Sequence, residues 1–148
     1  MELRFAHLAD YAAGDAAGKL TIVGIFDIVF DQAKTRPIAF PPCYLIANFA
    51  SSVAEGSVHR LEVRLVDADE NNVVDPIKAE LTFRPFGPGY PQRAVFLAAF
   101  APETVKVPIL GDYHFVFLID GAEVGRVSVS VLEPPPTADP WLPGRNGW

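Results

Sequence analysis

The chain has 148 residues, of which 50% are hydrophobic and 20% charged, and its net charge is −6. That length suits one folded domain able to bury a sizeable core, and the composition excludes a disordered chain. The acidic balance, with no run of Lys or Arg, excludes a nucleic-acid backbone as partner, because such binding needs clustered cations.

The longest apolar run, Ala94 to Ala101, falls far short of the roughly 20 residues a membrane helix needs, so no membrane association is expected. Arg4, His7 and Asp10 interrupt the N-terminal stretch where a secretory leader requires unbroken apolar residues. The single cysteine, Cys43, has no internal disulfide partner, which fits a reducing compartment. The expected location is the cytoplasm.

Short alternating runs bounded by Gly, Pro, Asn or Asp recur along the chain, and helix periodicity is nearly absent. They predict strands over Leu3–Tyr11, Lys19–Asp31, Pro42–Ser51, Ser57–Ala68, Ile77–Arg84, Arg93–Ala101, Asp112–Asp120 and Ala122–Leu132. Asp120-Gly121 is the favoured two-residue hairpin signal, and Asp69-Glu70-Asn71-Asn72 is a second turn. Arg84 to Gln92, with Pro85, Pro88 and Pro91, reads as a loop unable to pair. Eight mostly antiparallel strands at this spacing predict an all-β, immunoglobulin-like sandwich over residues 1–133. Gly111-Asp112-Tyr113 supports that reading, since a tyrosine so placed before a late strand ties its hydroxyl back to a nearby loop.

Residues 134–148 differ in composition. Pro134-Pro135-Pro136 favours an extended conformation, and both tryptophans of the chain, Trp141 and Trp148, follow within eight residues of each other. Tryptophan concentrates binding energy at interfaces, so Trp141, Leu142 and Trp148 are the candidate interaction residues.

Four runs depart from simple alternation. Leu20–Phe30, Tyr44–Ala50, Ala94–Phe100 and Tyr113–Ile119 carry apolar residues at both parities. A sandwich strand needs only one apolar face, so a second cover is expected: a symmetric partner, or a segment of the same chain.

The stretch Phe5-Ala6-His7-Leu8-Ala9-Asp10-Tyr11-Ala12, followed by Gly18-Lys19-Leu20-Thr21-Ile22-Val23-Gly24-Ile25-Phe26, resembles an uncharacterised family of small bacterial domains with a Leu-Ala-Asp-Tyr-Ala … Gly-Lys-Leu-x-x-x-Gly-Ile-Phe signature. Val63-Arg64-Leu65-Val66-Asp67, the Gly-x-Tyr and the Asp-Gly hairpin extend the likeness over residues 1 to 132. The resemblance implies a bacterial or phage source and a β-domain, and assigns no activity or site residue.

Catalytic candidates are sparse. Asp67, Asp69 and Asn71 match the opening of a calcium loop, but Asn72 replaces the required Gly and Lys78 the bidentate Glu. His7, His59 and His114 lack local metal spacing, and His7 and His59 fall at inward parity. Cys43, behind two prolines at a strand start, reads as a small buried hydrophobe. No cofactor is implied. The expected function is a non-catalytic binding or assembly module with a protein partner or self-association. A phage or particle component locked by its tail, and a small enzyme or calcium-binding sandwich using the Asp67–Asp75 loop, are the alternatives.

Overall fold

The computed structural model describes residues 1–136, in which eleven strands form. In chain order these are β1 (Glu2–Gly14), β2 (Leu20–Phe26), β3 (Ile28–Phe30), β4 (Ile38–Ala39), β5 (Cys43–Ser51), β6 (Val58–Val66), β7 (Ile77–Thr82), β8 (Gln92–Phe100), β9 (Lys106–Val107), β10 (Gly111–Ile119) and β11 (Ala122–Leu132). A single 3-10 turn, Val53–Glu55, is the one helical element among the described residues. Strands form within all eight expected runs, one of which is divided in two.

The strands make two large sheets, ordered β2-β1-β5-β8 and β3-β11-β10-β6-β7, and a two-stranded piece, β4-β9. Alternation explains why the two large sheets face each other. On β5, Cys43, Leu45, Ala47 and Phe49 join the core, as do Leu61, Val63 and Leu65 on β6 and Phe115 and Phe117 on β10. Aromatic rings lock the layers together: Phe49 meets Phe117 edge-on at 5.8 Å, and Phe100 stacks on Phe115 at 6.0 Å. β4 and β9 carry Ile38 and Val107, both buried, into the same core.

The turn chemistry behaves as the residues require. Asp120 and Gly121 both have positive φ and join Ile119 directly to Ala122, the geometry of a tight hairpin. Tyr113 donates its hydroxyl proton to the Ile109 carbonyl at 2.6 Å, tying the start of β10 to the preceding loop as expected.

Three features differ from expectation. The run Lys19–Asp31 is two strands in two sheets. Its first part pairs with β1, and after Asp27 the chain crosses to run parallel to β11, with Ser130 N–H donating to Asp27 O. Both parities are apolar because the segment serves two layers. β2 and β8 lie at sheet edges, although strands apolar on both faces are usually central. And Arg84 is not in an unpaired loop: it forms an antiparallel bridge with Arg93, and Gln92 already belongs to β8.

The layers approach closely where β1 crosses β11. A Cβ added to Gly125 would lie 2.6 Å from Leu3 Cδ2 and 2.9 Å from Leu3 Cβ. Gly125→Ala should therefore cost about 1–3 kcal/mol by overpacking. Urea unfolding checks this, and an unchanged midpoint would mean that the crossing has room to spare.

Candidate interaction face

The outward side chains of the four-stranded sheet follow from register. Phe5, His7, Ala9 and Tyr11 of β1 lie opposite Asn48, Ile46 and Tyr44 of β5 on one flank and Ile25 and Val23 of β2 on the other. Asn48, Ile46 and Tyr44 in turn face Val95, Leu97 and Ala99 of β8. This outer surface is largely apolar, with Glu2 at its rim opposite Ala50. Tyr11, Val23, Ile25, Val95 and Leu97 are 40–56% exposed. Phe5 stacks on His7 and Tyr11 meets Tyr44 edge-on, so the aromatic groups are ordered by one another.

The other sheet presents the opposite chemistry. Arg60 pairs across strands with Glu80, and Glu62 with Lys78. Arg64 bonds Glu62, Ser128 lies 2.9 Å from His114 Nδ1, and Ser130 donates to Asp112 at 2.7 Å. Polar side chains thus cover one sheet's outer face, and apolar side chains most of the other's. Large exposed apolar patches on soluble domains mark sites of interaction.

The three histidines lie in three different places. His114 is on the outer side of the five-stranded sheet. His59 is buried, as expected. His7 faces outward with Phe5, a correction to the inward reading. The reason is a register shift between Leu3 and Phe5: Leu3 packs on the core, and the extra residue turns Phe5 and His7 to the opposite face.

His59 anchors a polar network at the end of β6. Its Nδ1 lies 2.6 Å from Asp120 Oδ2 and its Nε2 3.1 Å from the Gly56 carbonyl. With acceptors on both ring nitrogens, the imidazolium is favoured, and the Asp120 hydrogen bond is the main cause raising its pKa against the cost of burial. Buried Gln92 donates to the Gly56 and Ser52 carbonyls. Ser51 donates to Glu55, which also receives the Ser52 N–H and the Met1 ammonium, and these hydrogen bonds, led by that of Ser51, hold the Glu55 carboxyl at about 2. Every partner here closes the 51–59 connection, and no hydroxyl is aimed at a free nitrogen of His59.

The acidic hairpin is likewise committed to its own backbone. Asp67 Oδ1 accepts the N–H groups of Asp69 and Asn71, and Glu70 pairs with Arg126 at 2.8 Å. Cys43 is buried at the start of β5, and burial, with the Asp10 charge adding, raises its thiol pKa to about 11, a poor setting for a nucleophile. Among the described residues, no helix is long and apolar enough to cross a membrane. Trp141, Leu142 and Trp148 lie outside the described residues.

The profile of a family of unknown function, DUF6941, matches residues 4–132. The chain belongs to that family. No protein of curated function matches it. Among solved structures, that of Pseudomonas fluorescens alkylpurine DNA glycosylase AlkC bound to DNA containing an abasic site analog is 10% identical, with a TM-score of 0.35. The match covers 86% of this chain and 30% of that one, and at such a score the likeness carries no argument. The family assignment agrees with the resemblance to an uncharacterised domain family.

The His59 network makes a pH prediction. A raised folded-state pKa stabilises the fold fully below the unfolded value near 6.5, and that contribution is lost as pH rises through the folded value. The thermal midpoint should fall between neutral and mildly alkaline pH, and Asp120→Asn should flatten that dependence. An equal slope in the variant would remove His59 as its source.

Proposed function

We propose that this protein is a non-catalytic binding or assembly module that docks a protein surface, a second copy of the chain first, on the outer face of its four-stranded sheet. The observation that carries the reading is the exposure of Tyr11, Val23, Ile25, Val95 and Leu97 on one face. Fully burying a large aliphatic side chain is worth about 1.5–3 kcal/mol, so covering half-exposed ones yields roughly 1 kcal/mol each. Their sum is comparable with the lower end of the association cost, about 4 kcal/mol. The face alone therefore supports weak association, and a further contact would strengthen it.

Trp141, Leu142 and Trp148 are the proposed source of that contact. The strand order, with β11, β10 and β6 adjacent in one sheet and β1, β5 and β8 in the other, supports an immunoglobulin-like sandwich. A buried, unpaired Cys43 supports the cytoplasm as its compartment.

Sedimentation across a wide dilution series, on the native chain and on Ile25→Asp and Leu97→Asp, tests the reading. Reversible association should appear in the native chain and weaken at least tenfold in either variant. If the substitutions alter neither association nor the binding of an apolar dye, the face has no docking role.

A further inference from the structure

We infer that the cleft between the β1–β2 hairpin tip and the outer sheet face binds an amphipathic oxyanion, a carboxylate or phosphate carried on an apolar body. This deepens the reading of that face as a binding surface and rests on it. The cleft encloses about 600 Å³, within the range of roughly 300–1,000 Å³ typical of small-ligand sites. Its lining combines apolar and basic residues. Phe5, Val95 and Leu97 are among its apolar lining, and Arg4, Arg84 and Arg93 are its basic residues.

The arginines are placed at a cost. Arg84 and Arg93 are direct cross-strand partners, bonded through both backbone pairs at 2.8 and 3.1 Å. Like charges so opposed destabilise a sheet. Among the described residues neither has a carboxylate within 4.0 Å, and Arg4 has only exposed Glu2 at 4.0 Å. Nor does the acidic residue lining the cleft neutralise them, since Asp15 Oδ1 accepts the N–H groups of Ala17 and Lys19. Arg93 Nη1 is shut off from solvent with no hydrogen-bond partner, and so is Asn48 Oδ1 on the same face. A buried donor of a charged group left unpaired is costly. Guanidinium groups lining one cleft match the paired oxygens of a carboxylate or phosphate, and such a head group would relieve the Arg84–Arg93 repulsion. Its apolar body would then lie along Val95 and Leu97.

Calorimetric titration of the full chain with decyl phosphate and with decanoate, both below their micelle concentrations, tests the inference. Inorganic phosphate and decanol serve as the head-only and body-only controls. Saturable one-site binding of at least one amphiphilic anion is expected, tighter than either control by tenfold or more, and the stronger of the two identifies the head group. Arg84→Gln/Arg93→Gln should weaken that binding about 10–100-fold, as expected for loss of charge-assisted hydrogen bonds. The thermal midpoint of the unliganded variant should not fall, because a like-charge pair has been removed; Arg93→Lys should bind with intermediate affinity. Equal binding of decanol and decyl phosphate, or full affinity in the double variant, would overturn the anion site and leave the docking face standing. Absence of saturable binding by both anions would overturn it as well, with the docking face still judged by sedimentation.

Discussion

The fold depends on one constraint: β5 is apolar on both sides, and a second sheet can cover only one of them. Its inward row of Cys43, Leu45, Ala47 and Phe49 meets the five-stranded sheet and makes the core. Its outward row of Tyr44, Ile46 and Asn48 is flanked by β1 and β8 side chains that are themselves apolar. Alternation therefore leaves a second apolar surface once the sandwich has closed, and burial of the first surface is what positions it.

The two outer surfaces show how differently the same architecture is finished. On the five-stranded sheet, ion pairs such as Arg64–Glu62 and hydroxyl contacts engage polar groups at little energetic gain each, as exposed pairs do. On the four-stranded sheet, polar groups are few, and the notable ones lack partners. Asn48 and Arg93 carry orphan atoms beside exposed Val95 and Leu97. Unpaired buried polar atoms within an apolar field are where binding surfaces depart from what stability alone would select. The His59 network, by contrast, is fully partnered and serves to fasten the 51–59 connection to the Asp120 turn.

Most of the strands were legible because period-2 alternation survives where one face is buried, as in Leu61, Val63 and Leu65. Of the double-apolar runs, those of β2, β5 and β8 fall in the four-stranded sheet with the apolar outer face, and that of β10 falls in the other sheet. What was hidden depends on events with no local signature. The switch of sheets at Asp27 occurs without a proline or glycine. The extra residue between Leu3 and Phe5 inverts the parity of His7, which only pairing can reveal. The Arg84–Arg93 pair was masked by the prolines between them, since a loop that cannot itself pair still brings its ends together. Asp67 and Cys43 were read as a turn residue and a buried hydrophobe, and their hydrogen bonds and burial agree.

The central claim is that the outer face of the four-stranded sheet is covered when the protein works. Carbene labelling of the full chain at high concentration, read by mass spectrometry, addresses it directly. Val53, Val58 and Ile109, which are 55–64% exposed and lie away from that face, provide the internal reference. The account predicts that Val23, Ile25, Val95 and Leu97 label well below these references, relative to their exposure. Labelling in proportion to exposure at all of these positions would show a face left open to water, and would contradict it.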